Sequence, residues 1–255
     1  MSSTQWLLAR VGYSVGLAGL GILGLIYGDY AVNWQPVPAG LPGREVLAYV
    51  AAVLSIGVAV GFWIPRAAAT SALVLTIYLA IGWVLPQIIK MTPHPEVLAM
   101  WLGVCEPLAA ATGAWILWRL FAADATSERS LRIARIVFGV ACLVFGAAHL
   151  MYADFTAGMI PAWLPVRLPL AYLTGVAHIA AGLALISGIQ ARLAAMLEAL
   201  MMCGFVLLVH VPSLIDPPAW APNARMQWTG LLWATVLAAS AWTVASSFER
   251  RNALR

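Results

Sequence analysis

Long apolar stretches follow one another along the whole chain, and short polar segments separate them. Eight of these stretches reach about 20 residues, the length that a helix needs to cross the hydrocarbon core of a bilayer. They lack the apolar/polar alternation of a membrane strand and are rich in Ala, Leu and Gly. We therefore predict an all-α membrane protein with eight transmembrane helices. The predicted spans are 6–27, 45–64, 66–89, 97–121, 131–151, 170–187, 192–211 and 226–246.

The second half of the chain repeats the first. Residues 10–115 match residues 135–242, and the offset drifts between 123 and 127, as short loop insertions would produce. The matched pairs include Arg10 with Arg135, Gly21 with Gly146, Tyr27 with Tyr152, Pro86 with Pro212 and Trp101 with Trp228. We therefore predict two parallel four-helix repeats, residues 1–122 and 131–248. Because each unit has an even number of helices, an axis along the membrane normal should relate them.

Composition and basic residues predict the location and orientation of the chain. It is 63% hydrophobic and 9% charged, with a mean hydropathy of +0.90. If the N-terminus is cytoplasmic, the opposite side holds Arg44, Lys90, Arg167 and Arg225, and the other ten basic residues are cytoplasmic. The positive-inside rule then predicts a multi-pass protein of the cell (inner) membrane with both termini in the cytoplasm. The net charge of +4 reflects this topology, so we expect no nucleic acid as partner.

Three histidines lie inside predicted spans of the second unit, and the first unit has none at the matched positions. They are His149, His178 and His210, matched by Gly24, Ser55 and Val84. Ionisable groups inside a span are costly and usually face a bundle interior or a cavity. We predict that the three histidines, with Tyr152 three residues after His149, bind a ligand. A quinone head group, a metal or a proton path are the candidates, although the spacing supports no metal site. The alternative is that each histidine only bonds a neighbouring helix.

Two carboxyl groups also lie inside predicted spans. Glu106 is followed by Pro107, which removes a backbone hydrogen bond and should kink the helix, as in the broken-helix sites of transporters. We therefore include Glu106 among the candidate ligand-binding residues. The alternative is a protonated carboxyl bonded to a neighbouring helix. Glu198 lies nearer the cytoplasmic side, where it is expected to extend to the interface or to pair with a basic residue.

The outer ends of the first helix of each unit carry the same charged pattern. A Tyr-x-Asp ends at Asp29 and at Asp154, and each is followed by a Leu-Pro-x-Arg that ends at Arg44 or Arg167. Because both halves keep the pattern, we predict structural ion pairs that join each outer loop to its helix. The loops themselves, 28–44 and 153–169, are rich in Pro and Trp, so we expect them to lie in the interface and to cover the bundle.

Several segments of the second half together resemble a known family. They are Phe145-Gly-Ala-Ala-His149, Met159-Ile-Pro-Ala-Trp-Leu-Pro165, Tyr172-Leu-Thr-Gly-Val176 and His210-Val-Pro212. This set resembles the DoxX-type (DoxX/DoxD-like) family of four-helix integral membrane proteins. The first half keeps Leu-Pro-x-Arg and Tyr-x-Asp but has Gly24 in place of the histidine, so the whole chain resembles a tandem duplication of that unit.

The resemblance implies a four-helix architecture and a link to redox chemistry. The family is linked to thiosulfate:quinone oxidoreduction and to oxidant defence, which implies a quinone and a redox partner protein. His149 and His210 are positions where the family's pattern is expected to hold. His178 replaces a more usual acidic residue.

Three functions are open at this point. A redox-linked subunit would bind a quinone-like lipophile in the second unit, in contact with membrane lipid and a partner protein. A carrier for a small solute or lipid would use Glu106, and a non-catalytic organiser would bind another membrane protein. No nucleotide, phosphate or nucleophile motif is present in the sequence, so we expect no autonomous enzyme.

Overall fold

The computed structural model describes residues 3–122 and 128–248. Within these residues it is helical without strands, and eight helices are long and apolar enough to cross a membrane. These helices are α1 (Ser3–Tyr27), α2 (Arg44–Gly61), α3 (Ala68–Met91), α4 (Leu98–Phe121), α5 (Glu128–Met151), α7 (Arg167–Ser187), α8 (Ala191–Ser213) and α9 (Ala224–Ser246). The predictions of an all-α fold and of eight candidate spans are confirmed.

A short helix, α6 (Ala153–Met159), lies in the second outer loop and was not predicted. Its seven residues are too few to give a span signal, and Asp154 in its first turn is favourable at a helix N-terminus. The first outer loop has no helix at the corresponding place. The outer segments of the two halves therefore differ in structure, although their sequences match.

Helices α3 and α8 each contain one π-helical segment, at Ala80–Val84 and at Val206–His210. Each segment ends two residues before a proline, Pro86 or Pro212, which has no amide to donate to the preceding turn. Widening the turn is a common way for a helix to accommodate such a break, and it re-aims the side chains of that turn. The Gln35 side chain donates to the carbonyl of Gly82, at 2.9 Å, which in an α-helix would pair with residue 86.

The two last helices of the predicted units, α4 and α9, form the centre of the bundle. Within their most apolar windows, 61% of the α4 residues and 83% of the α9 residues are buried, against 50% or less for the other six spans. They pack against each other, and α1, α3, α5 and α8 surround them. Accordingly, α4 and α9 have the lowest mean hydropathy of the eight spans, 1.3 each, because they face protein more than lipid.

The helix contacts come in matched sets. Helix α1 packs on α2 as α5 packs on α7, and α3 packs on α4 as α8 packs on α9. Across the two predicted units, α1 packs on α9 and α5 packs on α4. The units therefore share an extensive interface. Two superimposable halves would give this pattern, and the duplication itself stays a prediction.

Close approach of α1 to α2, and of α5 to α7, depends on glycine. A Cβ atom on Gly21 would lie 2.6 Å from the carbonyl oxygen of Ala52, and one on Gly146 would lie 2.5 Å from the carbonyl oxygen of Gly175. Neither separation is possible for real atoms, so both helix pairs require glycine at this contact.

Candidate functional site

A cavity of about 630 Å³ lies between α4, α5, α7, α8 and α9, and α6 and the residues after it cover part of it. Its wall is mainly apolar. All but five of the lining residues follow residue 128, so the cavity belongs mostly to the second half of the chain. The exceptions are Asn33, Trp34, Ala99, Leu102 and Glu106.

The five candidate ligand-binding residues all line this one cavity. They are His149, Tyr152, His178, His210 and Glu106. The structure therefore brings together side chains from four helices, α4, α5, α7 and α8, and from Tyr152, which directly follows α5. The hydroxyl of Tyr152 accepts a hydrogen bond from the amide of Ala99 at 3.3 Å, which joins the end of α5 to the first turn of α4. Their role in binding a ligand stays a prediction.

His149 is held by a threonine on α7. Its Nδ1 lies 2.9 Å from the hydroxyl of Thr174, which itself lies 3.0 Å from the carbonyls of Leu170 and Ala171. A hydroxyl has one proton, and here a backbone carbonyl accepts it. With the hydroxyl proton assigned to one of these carbonyls, Nδ1 of His149 is the donor to Thr174. This contact fixes the orientation of the histidine ring and does not involve its Nε2 atom.

His178 forms a buried pair with Glu198 of α8. The Nδ1 atom of His178 is 2.9 Å from Oε1 of Glu198, and the side chains are 1% and 0% exposed. The His178 ring packs edge-on against His149, with 5.0 Å between ring centroids. Phe205 lies beside both rings, at centroid distances of 5.8 and 5.9 Å. The pair cross-links α7 and α8 at the wall of the cavity.

Glu198 corrects the sequence-based expectation. We expected it to reach the interface or to pair with a basic residue, whereas it is fully buried and its partner is His178. The reason lies in the hairpin between α7 and α8. Its turn covers residues 188–190 and begins at Gly188, and residues 178 and 198 lie ten positions before and after that glycine, so they face each other across the hairpin. This symmetry about a turn glycine is the signal that would have found Glu198.

His210 is the last residue of the π-helical segment of α8. Its Nδ1 atom is buried and has no hydrogen-bond partner within the described residues. The ring packs edge-on against Trp220, at 5.5 Å between centroids. A side chain at Gly230 would approach Nδ1 within 3.3 Å, so this glycine leaves room for the imidazole. The sequence analysis missed Trp220, which lies in the loop before α9 and has no periodic pattern to mark it.

Glu106 faces its counterpart in the other half. Its Oε2 accepts a hydrogen bond of 2.8 Å from Nε1 of Trp233, the residue that the repeat matches to it. The indole of Trp233 stacks on Trp83 of α3, with centroids 4.3 Å apart and planes 12° apart. Helix α4 runs on through Pro107. The carboxyl group thus lies between the two central helices and at the edge of the cavity.

The outer charged residues form one cluster instead of two pairs. Asp29 binds Arg44 at 2.6 Å, as predicted, and also Arg225 at 2.9 Å. Partial burial would raise the pKa of the Asp29 carboxyl, but hydrogen bonds from Arg225, the Tyr30 amide and Arg44 outweigh it, and the pKa lies below its ordinary value.

The prediction of a second ion pair, between Asp154 and Arg167, is wrong. Asp154 and Arg167 form no ion pair with each other among the described side chains. Helix α6 is the cause, because it places Asp154 in its own first turn, a feature that the first outer loop lacks. Of the ten residues predicted on the cytoplasmic side, Arg250, Arg251 and Arg255 lie outside the described residues.

The chemistry available in the cavity is hydrogen bonding. No Lys or Arg lines it. Within residues 3–122 and 128–248, no three His, Cys, Asp or Glu side chains are grouped so that they could hold a metal ion. An imidazole that lacks a partner on one nitrogen can accept or donate a hydrogen bond there, which suits it to a polar head group.

The fold and the cavity define a multi-pass helical membrane protein with an internal, mainly apolar site. A match to the DoxX family model covers residues 130–211, from α5 to the last turn of α8, and so includes His149, His178 and His210. The second half of this multi-pass membrane protein thus carries a DoxX-type domain. No curated protein and no solved structure matches the chain.

Proposed function

We propose that the protein binds a lipophilic, ring-bearing molecule of quinone type in the cavity of its second half, as the membrane subunit of a redox process. The observation that carries this proposal is the meeting of His149, His178 and His210 in one cavity of about 630 Å³. Small-molecule sites are typically of this size, mainly apolar, and provided with a few convergent polar groups. The redox part of the proposal rests on the resemblance to the DoxX-type family given in the sequence analysis.

The shape and chemistry of the wall support a ring-bearing ligand. Aromatic side chains line several sides, including Phe145, Phe205, Trp220 and Trp233. Rings pack well against such faces in offset or edge-on geometry. A lipophile can enter laterally from the bilayer, since the surrounding helices have apolar outer faces. An anionic metabolite would lack a cationic partner, because no Lys or Arg of the described residues lines the wall.

The proposal is tested with a short-chain quinone, decyl-benzoquinone, added to purified protein in lipid nanodiscs. Quenching of tryptophan fluorescence reports binding, because Trp34, Trp220 and Trp233 line the cavity. We expect saturable binding, and at least tenfold weaker binding in His210→Ala and in His149→Ala. The second variant removes the imidazole ring that packs beside His178 and Phe205 at the wall of the cavity. The matched changes in the first half, Ser55→Ala and Val84→Ala, should leave the affinity unchanged. Equal losses from both halves would place the site on the axis between them and overturn the proposal.

A carrier is the second candidate, and Glu106 is the observation that favours it. Its carboxyl group lies between the two central helices, beside the cavity, with a proline directly after it. A proton-coupled carrier would need this group to change its protonation during transport. Glu106→Gln keeps the volume and one acceptor but removes the titration. Vesicle uptake driven by a pH gradient, present in the wild type and lost in Glu106→Gln, would favour a carrier over the ligand-binding subunit.

Orientation in the inner membrane is part of the proposal. The distribution of basic residues predicts cytoplasmic termini. Reporter tags at either terminus should therefore signal from the cytoplasm, and tags inserted near Asn33 or Asn223 from the opposite side. An extracytoplasmic signal from a C-terminal tag would contradict it.

A further inference from the structure

We propose that the cavity selects a lipophile with a hydroxyl group on its ring, a phenol or hydroquinone, over the corresponding quinone or ether. This inference rests on the proposed function and names the chemical form of the ligand. It follows from the protons that His149 and His178 must carry, given the partners that hold them.

His149 offers an acceptor. The Thr174 hydroxyl lies 3.0 Å from two backbone carbonyls, and with its proton assigned to one of them, Nδ1 of His149 carries a proton and donates to Thr174. A neutral imidazole has one N–H, so its Nε2 has a lone pair. This Nε2 has no hydrogen-bond partner within the described residues. The side chain lines the cavity, so a ligand that donates a hydrogen bond would satisfy it.

His178 offers a donor. Its pair with Glu198 is fully buried, and no Lys or Arg lines the cavity to balance a net charge. A net charge inside the bilayer is costly, so the pair as a whole is neutral. Either the imidazolium faces a carboxylate, or a protonated Glu198 donates to Nδ1 of a neutral ring. In both states Nε2 of His178 carries a proton. A third neutral state would place that proton on Oε2 of Glu198, but Oε2 is buried and has no hydrogen-bond partner within the described residues, so this state is unfavourable.

One hydroxyl group matches both histidines. The two rings are neighbours, with centroids 5.0 Å apart, yet no hydrogen bond joins them in the described structure. A ligand hydroxyl would accept from Nε2–H of His178 and donate to Nε2 of His149. A quinone or ether oxygen only accepts, so it would leave the lone pair of His149 buried without a partner, which is unfavourable.

The position of the hydroxyl on a ring follows from the aromatic neighbours. Phe205 lies within 6 Å of both histidine rings, and Phe145 lies 5.7 Å from that of His178. A flat aromatic head group fits between such side chains, whereas a branched aliphatic alcohol would lose these contacts. The rest of the ligand then extends along apolar wall residues such as Met202 and Leu237.

The test uses two probes that differ in a single hydrogen-bond donor, 4-decyloxyphenol and 1-decyloxy-4-methoxybenzene. Both are titrated into the nanodisc-embedded protein, and each dissociation constant is obtained by calorimetry. We expect the phenol to bind about tenfold more tightly than its methyl ether, the effect of one buried donor that finds its acceptor. Decyl-hydroquinone should likewise exceed decyl-benzoquinone.

Two variants assign the preference to His149. His149→Phe keeps a flat ring but removes the acceptor, so the ratio of the two dissociation constants should fall from about ten to about one. Thr174→Val removes the group that fixes the tautomer, and we expect the ratio to fall there also. Thr174→Val decides the matter if His149→Phe does not fold.

The outcomes separate the two proposals. If neither probe binds the wild type, the proposed function fails together with this inference. If both bind with equal affinity, the lipophile site stands and the selection of a hydroxyl is wrong. If the phenol remains preferred in both variants, His149 is not the acceptor and the assignment is overturned.

Discussion

The two halves of this chain have closely similar helix contacts but differ in what the helices enclose. In the first half, Gly24 of α1 packs against Ala52 of α2, and a Cβ on the glycine would come within 2.9 Å of the alanine methyl. At the positions that the repeat pairs with these, the second half has His149 and Gly175. The glycine of this contact is on the first helix in the first half and on the second helix in the second half, where the first helix carries the imidazole of His149.

A second difference concerns the helical turn before Pro86 in the first half and before Pro212 in the second half, the prolines that the repeat matches. Trp83, in the π-helical segment of α3, is buried and stacks on Trp233. The paired residue in α8 is Val209, which is smaller and lines the cavity. The same backbone thus carries a filled interior on one side and an open one on the other. The two halves thus differ in a few side-chain volumes, while their helices make matching contacts.

The largest expected effect comes from exchanging these two residues. Trp83→Val should lower the free energy of unfolding by about 3 kcal/mol, because it leaves a cavity beside Trp233. Val209→Trp should keep the fold and prevent binding of decyl-benzoquinone, since the indole would occupy the cavity. Unfolding in SDS-containing micelles and fluorescence quenching measure the two quantities. Unchanged binding by Val209→Trp would show that the ligand lies elsewhere.

The shared frame is tested at the matched glycines. Gly21→Ala and Gly146→Ala should each lower the free energy of unfolding by about 2 kcal/mol, because the new methyl group meets a backbone carbonyl in both halves. Gly57→Ala and Gly204→Ala are controls, since nothing lies within 4 Å of either position. A loss at one glycine of the pair without the other would contradict the equivalence of the two contacts.

A smaller effect is expected where each outer loop enters its next helix. Gly43 and Val166 precede α2 and α7, and both have positive φ, 69° and 51°. A β-branched residue is strained there. We expect Gly43→Val to lower the free energy of unfolding by about 1–2 kcal/mol and Val166→Gly to raise it by less than about 1 kcal/mol. The same unfolding assay measures both, and opposite signs are the required result.

The smallest effect concerns the outer charges. Asp29→Asn should lower the free energy of unfolding by less than about 1 kcal/mol at pH 7, because the carboxyl group is partly exposed and screened. Since its pKa is depressed in the folded protein, this contribution is complete above the ordinary pKa and disappears as the pH falls through the folded value. Stability compared at pH 7 and at about pH 3 checks the sign.

Asp154→Asn is the matched control for that measurement. It lacks the ion pair that Asp29 makes with Arg44, so its effect at pH 7 should be smaller. An equal effect at both positions would show that the asymmetry of the outer loops has no energetic consequence.

The sequence was sufficient for the spans because length and apolarity alone decide whether a helix can cross a bilayer. It also indicated the histidines, since three ionisable side chains in one unit are costly without a cavity to face. It did not indicate Glu198 as the partner of His178, because that contact depends on how α7 and α8 pair across their turn. Helix α6 was missed because seven residues of a loop leave no periodic signal.

The sequence did not predict the composition of the cavity wall. Its wall includes Glu106 and Leu102 of α4, which come from the other half of the chain. Their presence depends on α4 packing against α5 and α9. Tertiary contacts of this kind are set by packing of small and large residues between helices and leave no local pattern.

The contact between α1 and α9 has a consequence for how the chain is made. Gly12, Gly16 and Gly19 of α1 pack against side chains of α9. Of the eight spans, α1 is synthesised first and α9 last. After α1 leaves the ribosome, its glycine face has no partner helix until α9 is synthesised. A chain released early, before residue 224, would carry the face uncovered into the bilayer. The bundle can therefore close only after α9 has been synthesised.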